Sequence, residues 1–369
     1  MARPKANQQV TEDEVSSFDQ IESFLSTNKE YHYNDVKQTK YSVSSGSLKL
    51  DLELGGGVKP GIVRFSGVTE GGKTSASLSF AKNFQNTVKN GFILYFKAEG
   101  RLSEELLERS GVDTSPSKWK VIKSNVYEVV VQLINELIHN NPNDIKYMFI
   151  IDSMDSLNLK EDMNRVFGTS NKVAGAAGLS ADFLKKMALP ISEFGHLCVM
   201  ISQIRTMVSI NPYEKKDPRI TNSSGGNALL HYSDWIFEFQ NRTKSDLITT
   251  QPQGKGDILG HFCKIVFRKS PNEKTNKEIR YPIKYGRKNG QSVWVEYEVF
   301  DLILAYQLAS AKGPWITFEK AIVEQAKNEG VELPEKVNGE AKLIELLESN
   351  QNITNFFVKE FKRVLEKII

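Results

Sequence analysis

Short apolar runs alternate with helical patterns from residue 41 onward, and this alternation restricts the chain to a few folds. The runs are largely continuous, which is typical of strands covered on both faces and therefore of a parallel sheet with helices on each side. The βαβ rhythm predicts an α/β doubly wound core. The predicted strands are residues 62–66, 92–96, 147–151, 197–201, 235–239 and 263–267, and the predicted helices are residues 75–88, 103–110, 126–139 and 179–192.

The most specific motif spans residues 67–74, whose sequence GVTEGGKT matches the pattern G-x-x-x-x-G-K-[ST]. It follows a predicted strand and opens a predicted helix, which is the context that the motif needs. Glycines let backbone N–H groups wrap phosphates, and a helix N-terminus favours negative charge. Lys73 would reach the β- and γ-phosphates of a nucleoside triphosphate, and Thr74 would bind Mg²⁺. The predicted nucleotide-binding residues are Gly67, Val68, Thr69, Glu70, Gly71, Gly72, Lys73, Thr74 and Ser75.

Further polar residues follow other predicted strands, where ligands of this fold class bind. Asp152 ends the apolar run 147–151 and would hold Mg²⁺, directly or through water. Hydrolysis also needs a carboxylate that orients or deprotonates the attacking water, and the pattern alone does not separate Glu99 from Glu104 for that role. Gln203 follows the run 197–201 and would sense the γ-phosphate by hydrogen bonding.

The net charge of +3 is unevenly distributed. Between Cys263 and Lys288, nine Lys or Arg residues stand against two Glu, so this basic block carries +7 and the rest of the chain −4. The basic block favours an anionic partner, such as nucleic acid or a neighbouring subunit's nucleotide, but a solvated hairpin explains it equally well.

Cys198 and Cys263 are too few for a zinc site and are predicted to be buried thiols. With no secretory signal and no membrane-length apolar segment, the chain is expected to be cytoplasmic and to have no membrane partner.

Two long polar segments, residues 158–172 and 205–227, are predicted to be mobile surface loops, and loops of this length are usually functional or disordered. The second begins at Arg205 and ends in Gly225, Gly226 and Asn227. A glycine pair lets the backbone approach a phosphate chain closely, and basic side chains neutralise it. This segment is therefore a candidate for nucleic-acid binding.

The ends of the chain differ from its middle. A capping box at Thr11 and Glu14, followed by apolar residues at helical spacing, predicts an N-terminal helix on a polar tether. After about residue 291 the pattern changes to helices rich in Glu and Lys. The predicted division is residues 1–40 for the N-terminal helix and linker, 41–290 for the core and 291–369 for a small α/β C-terminal domain.

Together these motifs resemble the RecA recombinase family, and the resemblance spans nearly the whole chain. The sequence FKAEG at residues 96–100 is similar to the family's strand that ends in the catalytic Glu, and IDS at 151–153 to its Mg²⁺-binding strand. ISQIR at 201–205 is similar to the segment whose Gln senses the γ-phosphate. SGGNAL at 224–229 is similar to the end of the second DNA-binding loop, and residues 158–172 would be the first.

The resemblance implies a RecA-like P-loop ATPase core with ATP and Mg²⁺ as cofactors, and it selects Glu99 over Glu104. It implies a helical filament in which the N-terminal helix packs on the neighbouring subunit, and it implies single-stranded and double-stranded DNA as partners. The implied residues are Glu99, Lys73 and Gln203 for catalysis, Thr74 and Asp152 for the metal, Arg205, Gly225, Gly226 and Asn227 for DNA, and Arg268 and Lys269 for a neighbour's ATP.

Three positions depart from the family pattern. Lys97 stands where bacterial members carry an acidic residue, and Leu106 where an aromatic residue stacks on adenine. Pro271 occupies the second of two basic positions that reach the neighbour's γ-phosphate, so that Arg268 or Lys274 must substitute. With a longer second loop, these departures indicate a phage-encoded, UvsX-like branch.

The leading hypothesis is an ATP-dependent recombinase that forms filaments on single-stranded DNA and exchanges strands. One alternative, motivated by Lys97, Leu106 and Pro271, is a structural or regulatory filament protein that binds nucleotide and DNA with little hydrolysis. Another is a ring-forming helicase relative with the same core. ATP turnover with and without DNA, followed by imaging of the assemblies, separates the three.

Overall fold

A computed structural model describes residues 12–37, 39–100, 102–163, 173–204, 228–251 and 255–368. The strands are β1 Gly61–Gly67, β2 Gly91–Lys97, β3 Trp119–Ile122, β4 Lys146–Asp152, β5 Leu197–Gln203, β6 Trp235–Phe239, β7 Leu247–Gln251, β8 Lys255–Lys269, β9 Glu278–Lys284, β10 Ala309–Lys312, β11 Trp315–Phe318 and β12 Lys336–Asn338. The helices are α1 Glu12–Thr27, α2 Leu48–Leu54, α3 Lys73–Thr87, α4 Glu104–Ser110, α5 Tyr127–His139, α6 Lys160–Met163, α7 Val173–Glu193, α8 Ala228–Tyr232, α9 Val295–Ala305, α10 Lys320–Asn328, α11 Glu340–Ser349 and α12 Gln351–Ile368. Short 3₁₀ helices lie at Lys29–Tyr31, Met154–Ser156 and Lys244–Asp246.

The larger sheet is mostly parallel, as predicted. Strands β3, β2, β4, β5, β1 and β6 lie side by side in that order and run in the same direction. Strand β8 extends the sheet antiparallel to β6, and β7 and β9 both pair antiparallel with β8. Five of the six predicted strands are therefore parallel. The sixth, residues 263–267, lies in antiparallel β8, because its connections to β7 and β9 are too short for a crossover helix.

Helices cover both faces of the parallel strands, and this explains the continuous apolar runs. All seven residues of β4 are buried. Met148 and Ile150 pack in the cluster that contains residues of α3, whereas Phe149 and Ile151 pack in the cluster that contains residues of α5 and α7. Both sides of the strand thus exclude water, which removes the polar alternation of a half-exposed strand.

The C-terminal segment contains a sheet as well as helices, which agrees with its predicted α/β character, although the pattern after residue 291 did not locate the individual strands. Strands β10, β11 and β12 pair antiparallel in that order. In β11, Ile316 and Phe318 are buried, while Trp315 and Thr317 are exposed. A four-residue strand offers only two alternations, too few for the period to stand out from neighbouring helices.

The C-terminal helices share a hydrophobic cluster with α2 of the preceding segment. Leu48 belongs to the cluster that α9, α11 and α12 build. Glu298 of α9 is fully buried and accepts hydrogen bonds from the Ser47 hydroxyl and, at 2.9 Å, from the Leu48 backbone N–H. Helix α2 belongs to the predicted core, yet it packs with residues beyond 291. The predicted division of the chain at residues 40 and 290 stays a prediction.

The N-terminal helix is present as predicted, and part of its apolar stripe is open to solvent. Phe18 is 72% exposed and Phe24 is 68% exposed. Ile21, three residues from each of them, is 55% exposed. An exposed apolar stripe favours a partner surface, and the packing of this helix on a neighbouring subunit stays a prediction. None of the helices described in the structure combines the length and apolar character that crossing a membrane requires.

A buried histidine between β4 and β5 makes stability depend on pH. His196 is fully buried, its Nδ1 accepts a 3.0 Å hydrogen bond from the Tyr147 backbone N–H, and its Nε2 has no hydrogen-bond partner among the described residues. Burial, assisted by the charge of Lys146, lowers the pKa of His196 to about 4. The unfolded chain, with a His pKa of about 6.5, binds more protons between those values, so this contribution to stability is lost as pH falls.

We expect this histidine to remove about 2 kcal/mol from the free energy of unfolding between pH 7 and pH 4.5. His196→Asn keeps an acceptor near Nδ1 but does not titrate, so its stability should change less over the same interval. Urea unfolding at several pH values measures the difference, with exposed His139→Asn as the control. Equal pH dependence in the wild type and His196→Asn would contradict the assignment.

Candidate nucleotide-binding and catalytic site

The loop between β1 and α3 has the backbone geometry that its glycines permit. Gly67 has φ 142°, and a Cβ added there would lie 2.3 Å from the Phe239 backbone oxygen. Gly72, with φ 102°, is the N-cap of α3 and contributes no side-chain cap. The first turn of α3 therefore presents backbone N–H groups toward the loop, which is the arrangement that binds phosphate.

Lys73 is held over this loop by bonds to the loop itself. Its Nζ donates to the carbonyl oxygens of Gly67 at 2.9 Å and Val68 at 2.6 Å. Burial lowers the pKa of Lys73, and the nearby carboxylates of Asp152, Asp155 and Glu99 act in the opposite direction. The ammonium group thus interacts electrostatically with three carboxylates, while it donates to two carbonyls that phosphate oxygens can replace.

Thr74 and Asp152 meet at the carboxyl edge of the sheet. The Thr74 hydroxyl donates to Asp152 Oδ2 at 2.9 Å, and the Tyr95 hydroxyl donates to the same oxygen. Burial raises the pKa of Asp152, while these two hydrogen bonds act to lower it. A hydroxyl and a carboxylate are hard oxygen ligands that fit Mg²⁺. Within the described ranges no group of three or more His, Cys, Asp or Glu is arranged for a metal ion, so phosphate and water oxygens would complete the coordination.

Tyr95 belongs to the candidate site through its bond to Asp152, and the sequence pattern did not single it out. It lies in the buried strand β2, next to β4, which carries Asp152. The only signal was a hydroxyl-bearing ring within an apolar run, which reads equally well as a core residue.

Glu99 and Glu104, which the pattern alone left equal, have different surroundings. Glu104 is exposed in the first turn of α4. Glu99 follows β2, and its Oε1 accepts a 3.2 Å hydrogen bond from Gln203 Nε2 while its Oε2 accepts one from the Ser156 hydroxyl. The backbone N–H of Gln203 donates to Asp155 Oδ2 at 2.6 Å. Glu99 is thus the carboxylate that meets Gln203 beside the loop.

The nine cations of the basic block all have partners within the chain. Lys269 Nζ donates to the carbonyl oxygens of Leu230 at 3.0 Å and His231 at 2.7 Å, at the end of α8. The other eight pair with carboxylates: Lys264 and Arg280 with Asp246, Arg268 with Glu238, Lys274 and Lys277 with Glu53, Lys284 and Arg287 with Glu348, and Lys288 with Glu108. The count of +7 therefore overstates the charge available to an anionic partner.

Arg268 and Lys269, predicted to contact a neighbour's ATP, are among these internally bonded residues. Arg268 forms a bidentate pair with Glu238, with N···O distances of 2.8 and 2.6 Å. Any contact with a second subunit would require them to exchange these bonds. Of the residues predicted to bind DNA, Arg205, Gly225, Gly226 and Asn227 lie outside the described residues.

A cavity of about 360 Å³ adjoins the loop. Its lining includes Gly72, Ser75, Leu106 and Tyr285. Arg242 Nη1 donates to the Tyr285 hydroxyl at 2.9 Å. The volume suits a small organic ligand. Leu106 stands where an aromatic residue was expected, and Tyr285 supplies an aromatic ring to the same cavity. Tyr285 was missed because it lies more than 200 residues from the loop, inside the basic block.

Comparison with known proteins agrees with these observations. The family model RecA N-terminal domain matches residues 17–288. The RecA protein of Cytophaga hutchinsonii is 25% identical over 291 residues, which cover 78% of this chain and 75% of that protein. The RecA protein of Porphyromonas gingivalis is 25% identical over 297 residues, 79% of each chain. The RecA protein of Rickettsia canadensis is 26% identical over 320 residues, 85% of this chain and 86% of that protein.

Proposed function

The chain belongs to the RecA family, and on that premise we propose that it is a DNA-dependent ATPase that assembles on single-stranded DNA and catalyses strand pairing and exchange. The observation that carries the proposal is the 3.2 Å hydrogen bond from Gln203 Nε2 to Glu99 Oε1. It connects the candidate base for ATP hydrolysis to the residue from which the chain enters residues 205–227. Binding of DNA to residues 205–227 would thereby change the hydrogen bonding of Glu99.

ATP would bind with its phosphates against the N-terminus of α3, where Lys73 exchanges its two loop carbonyls for phosphate oxygens. Thr74 and Asp152 would hold Mg²⁺, which when bound neutralises charge on the phosphate oxygens. Glu99 takes a proton from water as the water oxygen bonds to the γ-phosphorus, and the bond from that phosphorus to the ADP oxygen breaks. The nucleoside would enter the cavity that Tyr285 lines.

The remaining roles concern surfaces between subunits and DNA. Residues 158–172 and 205–227 would hold single-stranded DNA, with double-stranded DNA as the second partner. Lys269 bonds to the end of α8, which begins directly after Asn227, so a neighbour's ATP and the DNA would be contacted by adjacent parts of the chain. The apolar face of α1 would pack on the next subunit in a helical filament. The proposed residues are Arg205, Gly225, Gly226 and Asn227 for DNA, and Arg268 and Lys269 for the neighbour's ATP.

We expect single-stranded DNA to raise the rate of ATP hydrolysis about tenfold or more, because it changes the surroundings of Gln203 and thereby frees Glu99. Steady-state turnover with Mg²⁺, with and without poly(dT), measures this. Binding to poly(dT) should weaken steeply as salt increases, since phosphate neutralisation releases counterions. A turnover that DNA leaves unchanged would contradict the proposal.

Two other outcomes would favour the alternatives. DNA-dependent assembly with negligible turnover would indicate a structural or regulatory filament protein. Closed hexamers in electron micrographs, with strand unwinding, would indicate a helicase relative. Within the family we propose a phage-encoded, UvsX-like branch, supported by Lys97, Leu106 and Pro271.

A further inference from the structure

Glu99 is hydrogen-bonded to the starting points of both polar segments. Gln203, at the end of β5, occupies Glu99 Oε1 and lies two residues before 205–227. The Ser156 hydroxyl occupies Glu99 Oε2. Ser156 ends the 3₁₀ helix Met154–Ser156 that follows β4, two residues before 158–172. Each oxygen of this carboxylate therefore accepts from the beginning of a different segment.

The two starting points are also bonded to each other. Asp155, next to Ser156 in the 3₁₀ helix, accepts the backbone N–H of Gln203 at 2.6 Å. A displacement of one starting point therefore strains a bond to the other.

Ser156 is also fixed relative to the segment that follows it. Asn158 forms two backbone hydrogen bonds to residues at the start of α5, its carbonyl accepting from Tyr127 N–H at 2.8 Å and its N–H donating to Asn125 O at 2.7 Å. Ser156 lies between this anchor and β4, so a change at residues 158 onward reaches its hydroxyl through the backbone bonds of Asn158. Its position depends on how residues 158 onward are held.

Both oxygens of the Glu99 carboxylate accept hydrogen bonds, so fewer of its lone pairs are available to the attacking water. Each donor occupies a lone pair that would otherwise be free to accept from that water. A serine hydroxyl donates without adding charge, so removing it changes this restraint and little else in the electrostatics of the site. The bond is to a charged acceptor, the stronger class of hydrogen bond.

We propose that Ser156 is a positioning residue that restrains Glu99 while residues 158–172 hold no DNA, in parallel with Gln203 at the second segment. The inference rests on the proposed function and names the regulation of that same site. Each segment then has its own hydrogen bond to the base, and full turnover requires both bonds to be released.

The test compares ATP turnover of wild type, Ser156→Ala and Ser156→Thr, each with and without poly(dT). In Ser156→Ala we expect the DNA-independent kcat to rise about 3- to 10-fold, with the DNA-stimulated kcat and the KM for ATP changed less than about twofold. The stimulation ratio then falls by the same 3- to 10-fold. Ser156→Thr keeps the hydroxyl and should restore the wild-type ratio. Ser349→Ala, at an exposed position of α11, is the matched control.

The outcomes separate this inference from the proposed function. Suppose that poly(dT) stimulates turnover by the wild type. If Ser156→Ala then has the wild-type stimulation ratio, or loses turnover equally with and without poly(dT), the role of Ser156 is wrong and the proposed function stands. If poly(dT) does not stimulate the wild type, the proposed function fails and this inference fails with it. If thermal unfolding shows that Ser156→Ala is destabilised, Ser156→Cys, of similar volume and weaker donor strength, replaces it with the same expectations.

Discussion

Glu99→Gln is expected to lower DNA-stimulated ATP turnover at least ~100-fold while leaving nucleotide affinity within about threefold. A glutamine amide cannot take a proton from water, but it still has an oxygen that can accept from Ser156 or Gln203. The substitution therefore removes the chemical role of the residue and preserves most of the local hydrogen bonding. Steady-state hydrolysis and binding of a fluorescent ATP analogue measure the two effects separately.

Glu104→Gln is the matched control for this prediction, because Glu104 is the carboxylate that the sequence pattern could not distinguish from Glu99. It lies exposed at the start of α4, so its turnover should stay close to that of the wild type. Glu99→Gln retaining more than a tenth of wild-type turnover would exclude Glu99 as the base. A large loss in Glu104→Gln would transfer the role to that residue.

Lys73→Ala is expected to weaken ATP binding about 10- to 100-fold and to reduce turnover at least ~100-fold. Hydrogen bonds from a charged donor contribute about 1.5–3 kcal/mol, and each 1.4 kcal/mol is a factor of ten in affinity. The substitution also leaves Asp152, Asp155 and Glu99 without the cation that acts on all three. Their mutual repulsion then opposes the approach of further negative charge.

Lys82→Ala provides the comparison, since Lys82 lies on the same helix and its Nζ donates to backbone oxygens of Asn289 at 3.1 Å and Gly290 at 3.4 Å. It removes a cation of equal size from α3 without touching the loop. Nucleotide binding by both variants, measured by titration calorimetry, should differ by at least tenfold. Equal affinities would show that Lys73 does not bind the phosphates.

The local sequence was sufficient for the phosphate loop and for most of the sheet. Residues 67–74 carry the loop, because glycines at positive φ and a helix that begins at Lys73 are properties of neighbouring residues. The five parallel strands were predictable because burial on both faces leaves a continuous apolar run. The direction of a strand relative to its neighbours was not predictable in the same way. Residues 263–267 read as a parallel strand, yet they pair antiparallel with β6, since a run of buried residues carries no information about its partner.

Only the tertiary structure decided which side chains meet. The proposed base Glu99 and the two side chains bonded to it are distant in sequence, with Ser156 57 positions and Gln203 104 positions away. They come together because β2, β4 and β5 are neighbours in the sheet and all end at the same edge. The same adjacency gives Asp152 its bond from Tyr95 and gives the cations of the basic block their internal carboxylates. Hydrogen bonds and ion pairs depend on distances of a few ångströms between remote segments, whereas the periodicity of a sequence records only whether each residue is buried.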